Sequence, residues 1–161
     1  MGASLSDGLR RVDWAAAIGI AAVRAGQLQK RDVAICVFDT RVVREWLISW
    51  SDRETAKRAI FDFGMLGLYG GTDFSPAYAW ALDSGAEQSR SDIILVTDGF
   101  GSVSDPVLKR ITEARTRGLR CWGVIAGEGG VPDALAGFVD GVATLDGSTD
   151  AADKIGSLGA V

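Results

Sequence analysis

The chain has 161 residues, 47% of them apolar, enough for a single domain to bury a core unaided. Its formal net charge is -4, with Lys and Arg scattered along the chain and not gathered in a stripe, which sets nucleic acid aside as a partner. It contains no histidine, so His-based zinc sites, Ser-His-Asp triads and the commonest general base are all excluded.

Residues 1–9 are polar and show no basic stretch followed by an apolar one, so no signal peptide is expected. Spacing predicts a first helix over 13–28, whose apolar part, 14–23, is too short and Ala-rich to span a bilayer. The expectation is a soluble, cytoplasmic domain with no membrane partner. Val33–Phe38 (VAICVF) reads as a buried strand, followed over 41–50 by an edge strand that pairs antiparallel with it. A helix is expected over Arg53–Phe63 and another over 76–86. The runs 93–97 (IILVT) and 121–126 (CWGVIA) have the unbroken apolar character of central parallel strands. Between them Asp105, Pro106 and Gly118 mark the ends of a helix over 106–117. Residues 127–130 read as a flexible connection, Gly141–Leu145 as a weak strand, and 151–158 as a final helix. Strand and helix alternate, so the predicted fold is one α/β domain over 1–161. It has a doubly wound, mostly parallel sheet, helices on both faces and one antiparallel edge strand. Cys36 and Cys121 lie inside apolar runs and are expected as buried, reduced thiols.

In open α/β sheets the functional loops gather beyond the carboxyl ends of the strands. Asp39-Thr40 follows the first apolar strand and Asp98-Gly99 follows the strand at 93–97, while Gly-Gly-Thr-Asp at 70–73 opens the helix near Pro76. This arrangement lets the Thr72 hydroxyl and the Asp98 carboxylate meet on one face. Oxygen-only ligands suit a hard ion such as Mg²⁺, which keeps several of its waters. Each motif alone also serves as ordinary turn or helix-cap chemistry; their combination carries the argument. Phe74 and Phe100 sit in the loops beside Thr72 and Asp98 and are expected to rim a docking surface. Trp80 and Trp122 read as core, whereas Trp46 and Trp50 lie on the edge strand and would mark a contact surface if exposed.

The order of a Phe-Asp strand end, a Gly-Gly-Thr-Asp loop before a helix and a Val-Thr-Asp-Gly strand end resembles von Willebrand factor A (VWA) domains with a metal-ion-dependent adhesion site, over residues 7–158. Within that family the run 70–81 looks like the bacterial proteins that work with MoxR-type AAA+ ATPases, and like Ro-like proteins. The resemblance implies that Thr72 and Asp98 are metal-site residues. It also exposes a departure: the family's first motif, Asp-x-Ser-x-Ser, ends a first central strand for which no counterpart is visible here. In one register that motif lies upstream of Met1, so the domain is N-terminally incomplete; in the other, Ser4 and Ser6 are its serines and Gly2 replaces its aspartate. The first register is preferred, because a Met-Gly start, a polar loop and a helix read like a sequence cut inside the motif. A fragmentary start, a strand supplied by another chain or a rearranged sheet would each explain the pattern, and Mg²⁺ affinity is expected to be weak.

The leading functional expectation is therefore a non-catalytic protein interaction module that engages an acidic side chain of a partner, an AAA+ ATPase among the candidates, through a divalent ion. Two others stand beside it: a metal-dependent phosphohydrolase using Asp39 and Asp98, and a metal-free structural subunit of a larger assembly.

Overall fold

The computed structural model describes residues 11–63, 65, 73–86, 91–126 and 132–145. Helix α1 (Arg11–Gln29) comes first, then β1 (Val33–Phe38) and β2 (Val42–Ile48). These are followed by α2 (Arg53–Phe63), α3 (Ser75–Ala81), β3 (Asp92–Thr97), α4 (Asp105–Thr116), β4 (Arg120–Ala126) and β5 (Gly141–Leu145). The β-rich, apolar runs became strands and the amphipathic stretches between them helices, as the alternation requires.

The strands form two sheets. β1 and β2 pair antiparallel, with a register irregularity at Val37/Phe38, while β3, β4 and β5 form a parallel sheet in that order. Shared helices nevertheless hold the two sheets in one layer. On one face α1 lays Ile20 and Val23 against Ile35 and Ile48, and Trp14 and Ile18 against Val96, Val124 and Leu145. On the other face Phe38 of β1 packs into the cluster that joins Tyr78, Leu82, Ile111 and Ala114 of the helical layer to Leu95, Cys121 and Ile125. The sheet layer is therefore sandwiched between helices, which explains why β3 and β4 needed unbroken apolar sequences.

Local chemistry sets the element ends. α4 begins one residue earlier than the sequence suggests: Ser104 occupies the cap position without a side-chain bond, and Asp105 lies in the first turn beside Pro106. It stops at Gly118, where the N–H groups of Gly118 and Leu119 reach the carbonyls of Arg115 and Ala114 at 3.1 Å. The helix expected over 76–86 is shorter. α3 ends at Ala81 and a π turn follows over Leu82–Ala86, because Gly85 adopts φ 103, a left-handed conformation that an α-helix cannot continue through. β2 stops at Ile48, so Trp50 sits in a turn, 41% exposed, with Lys30 5.9 Å above its ring. Trp46 is partly buried: it packs edge-on to Phe63, 4.9 Å between centroids, and donates to Asp62 at 3.3 Å. It belongs to the core between β2 and α2, not to a contact surface.

Asp52 caps α2. Its carboxylate accepts the Thr55 hydroxyl at 2.6 Å and the Thr55 N–H at 3.0 Å, and these bonds hold its pKa below the ordinary carboxylate value. A carboxylate with a depressed folded pKa contributes stability above its unfolded pKa and loses it as pH falls through the folded value. Asp52→Ala is accordingly expected to lower Tm near neutral pH, with the difference from the parent shrinking in acid; melts across a pH series check this. Both cysteines are unpaired thiols, and burial, with Glu45 near Cys36 and Asp140 near Cys121, pushes each up to about 12. Neither is expected to react with a thiol reagent at pH 8 until the protein is unfolded, which a reaction time course with and without urea measures.

Among the described residues, no helix is long and apolar enough to cross a membrane. The expected connection at 127–130 and the helix at 151–158 lie outside the described residues.

Candidate functional site

The carboxyl ends of β1 and β3 carry the acidic residues singled out by the sequence. β3 ends at Thr97, and the chain turns through Asp98 and Gly99, the latter at φ 89. The Thr97 hydroxyl accepts the Gly99 N–H at 3.2 Å, and Asp98 Oδ1 accepts the Phe100 N–H at 3.3 Å. The Thr97 hydroxyl also makes a long contact, 3.5 Å, with Asp98 Oδ1. Asp98 is half-buried at the mouth of the loop, while Phe100 stands out beside it, 50% exposed.

The loop leading into α3 is tied to this one. Asp73 forms an isolated parallel bridge with Ser102, the Phe74 N–H donates to the Ser102 carbonyl at 2.9 Å, and the Ser104 N–H donates to Ser75 Oγ, also at 2.9 Å. Asp73 Oδ1 in turn accepts the Ser75 N–H at 2.9 Å and so fixes the start of α3. The loop that follows Thr72 and the loop that begins at Asp98 are thus joined along residues 73–75 and 102–104. Thr72 itself, like Ser4 and Ser6, lies outside the described residues.

Phe74 corrects one expectation. Its side chain does not rim the site: it is buried, 1% exposed, and packs edge-on against Phe38 at 6.1 Å and Phe138 at 6.0 Å. The backbone bond to Ser102 turns the ring inward, where an aromatic surface is worth more than at a wet loop. Of the two phenylalanines, only Phe100 is available to a partner. Two residues with no obvious motif prove important for the geometry. Ser75, buried despite its hydroxyl, bonds across to Ser104. Gly101 lets the Phe74 ring lie against the loop, because an added Cβ there would come within 2.3 Å of the ring's Cζ. The only sequence sign of either is the small, polar run Gly101-Ser102-Val103-Ser104.

Asp39 is placed differently from Asp98. It closes the tight turn between β1 and β2, where its N–H donates to the Arg41 carbonyl and its Oδ1 accepts the Arg41 N–H, both at 3.0 Å. That Arg41 N–H, together with bonds from Thr40, holds the Asp39 carboxyl below its ordinary value, which makes it a weaker base. The Thr97 hydroxyl beside the Asp98 carboxylate is an oxygen donor of the type a hard cation takes. No group of three or more His, Cys, Asp or Glu placed to hold a metal occurs among the described residues.

No family model and no curated protein matches the sequence. Solved structures do match. A conserved hypothetical protein, BatB, from Bacteroides thetaiotaomicron aligns over 93% of this chain and 86% of its own, with a TM-score of 0.63 and 16% identity. A von Willebrand factor type A protein from Catenulispora acidiphila aligns over 93% of this chain and 38% of its own, with a TM-score of 0.61 and 22% identity. The fold is of the von Willebrand factor A type. An aerotolerance-related membrane protein from Bacteroides fragilis, with multiple mutations to serines, adds a TM-score of 0.65 at 15% identity, over 95% of this chain and 89% of its own. In this VWA-type architecture the Asp98 loop and the entry to α3 occupy the carboxyl end of the parallel strands, the position where α/β sheets concentrate their functional loops.

Proposed function

We propose that the domain is a non-catalytic protein interaction module whose contact surface surrounds a Mg²⁺-type ion held by Thr72 and Asp98 at the carboxyl ends of the strands. The observation that carries this reading is the set of bonds between residues 73–75 and 102–104, which draws the loop after Thr72 to the loop that starts at Asp98. In it Asp98 holds the ion through water and Thr72 binds it directly or through water, with Ser4 and Ser6 added if they stand as the first motif's serines. Phe100, exposed beside Asp98, supplies an apolar contact that keeps water from the rim. A carboxylate of the partner completes the shell, and exclusion of water around that bridge sets its strength. The resemblance favours a AAA+ ATPase as the partner, and the two unpaired thiols fit the cytoplasm as the place.

The test is binding to such an ATPase with Mg²⁺, with EDTA, and with Asp98→Asn and Thr72→Ala variants. Binding is expected in Mg²⁺, and its loss is expected with EDTA and with each of the two substitutions. Binding that survives EDTA and both substitutions would overturn the metal bridge and leave a metal-free structural subunit as the better description.

A further inference from the structure

At the end of the layer where β1 begins, two turns come together. One leaves the end of α1 over residues 28–32, and the other, over residues 49–52, joins β2 to α2. They are tied twice: Asp32 Oδ1 accepts the Trp50 N–H at 3.0 Å, and Lys30 Nζ lies 5.9 Å from the centre of the Trp50 ring. Two large apolar side chains still stand in solvent here, Leu28 at 85% and Trp50 at 41% exposure. Arg31 pairs with Asp92 at the start of β3 at 3.6 Å, so the Asp98 loop beyond the far end of that strand is roughly 20 Å away. The carboxylates around the two turns are engaged locally: Asp32 by the Trp50 N–H, Asp52 by Thr55, Glu54 by Lys57 and Asp92 by Arg31. Arg24, one helical turn before Leu28, Lys30 beside Trp50 and Arg53 at the start of α2 are exposed cations. Three positive charges thus flank an indole and a leucine in a chain whose formal net charge is -4.

We infer that this end of the domain docks on an anionic lipid bilayer surface. Leu28 and Trp50 enter the headgroup boundary, where an amphipathic indole is at home, and Arg24, Lys30 and Arg53 meet lipid phosphates. A bilayer deforms around side chains that project from turns, whereas a protein partner needs a surface shaped to receive them. The contact needs no spanning segment, and no described helix could supply one. It is independent of any ion at Asp98, and it leaves that end of the sheet facing away from the lipid.

The test is co-sedimentation of the whole chain with vesicles of phosphatidylcholine alone and of phosphatidylcholine with about one third phosphatidylglycerol. Binding to the anionic vesicles is expected, weaker by at least about tenfold on the neutral ones and in high salt. The same loss is expected when Leu28→Ser is combined with Trp50→Ser, and when Lys30→Glu is combined with Arg53→Glu. Phe61→Ser removes another exposed aromatic ring, from α2, and is expected to leave binding unchanged. All these positions are exposed, so each variant should keep its Tm, and the salt series tests the charge requirement without any substitution. Three results would overturn the inference: no sedimentation with anionic vesicles, sedimentation that the Leu28 and Trp50 substitutions leave unchanged, or a dimer in lipid-free solution that Trp50→Ser alone makes monomeric, which would assign this end to a second copy of the chain.

Discussion

Replacing Phe74 with alanine is expected to destabilise the domain by about 3–5 kcal/mol, the usual cost of removing a buried aromatic ring. The ring is almost wholly enclosed and makes edge contacts with Phe38 and Phe138, the latter also stacked edge-on against Tyr78 at 5.7 Å. Its loss would open a cavity at the junction of β1, the α3 entry and the segment before β5, where three parts of the chain meet and cannot collapse together. Against the roughly 5–15 kcal/mol that stabilises a typical domain, this is a large fraction. Urea unfolding measures it. A docking-rim side chain would behave otherwise, because its truncation leaves stability almost unchanged and weakens only partner binding.

The second large effect concerns Gly101. Its added Cβ would meet the same ring at 2.3, 2.6 and 2.7 Å, and a ring so deeply buried has nowhere to swing. Gly101→Ala is expected to cost about 1–3 kcal/mol through overpacking. Because the strain is relieved by moving the loop, it is also expected to displace Asp98 and Phe100 and to weaken metal-dependent binding. Gly137→Ala, where nothing lies within 4 Å, is the matched control and should change neither. Combining Gly101→Ala with Phe74→Leu tests the mechanism. The two costs should fall short of adding, since the smaller side chain makes room for the methyl group. Additive costs would show that Gly101 matters for some other reason.

These two residues also show what the sequence conceals. The strands at Val33–Phe38, 93–97 and 121–126 were legible because burial on both faces writes itself as an unbroken apolar run. α4 was legible because its end signals lie within the helix's own neighbourhood. The direction in which a loop side chain points is another matter. Phe74 sits among Gly, Thr, Asp and Ser, a context that reads as surface, and only the long-range bond from its backbone to Ser102 turns the ring inward. The same holds for Trp46, which the sequence placed on the edge strand with Trp50, a contact surface if exposed. β2 ends before Trp50, and the residues beneath Trp46, Phe63 and Asp62, come from a helix over a dozen residues later. The early end of α3 rests on Gly85, which as a lone glycine inside a helical pattern does not declare its φ in advance. Sequence left open whether β1 and β3 would close on each other, and among the described residues they lie in different sheets.

At the candidate site the sequence led to the expectation that the loop at 70–73 and the Asp98 turn share one face, and residues 73–75 are joined to residues 102–104. It did not show how they are joined, because the Ser75–Ser104 bond and the Asp73–Ser102 bridge link small polar residues that occur in any loop.

In the proposed site Asp98 helps to hold a divalent ion at this end of the sheet. Mn²⁺, which accepts the same oxygen ligands as Mg²⁺, reports on it directly, because its unpaired electrons broaden nearby amide resonances. Titrated into the ¹⁵N-labelled chain, Mn²⁺ should selectively broaden the Gly99 and Phe100 amides. Excess Mg²⁺ should reverse the broadening, and Asp98→Asn should abolish it. Broadening that is absent, or that persists unchanged in Asp98→Asn, would contradict the account.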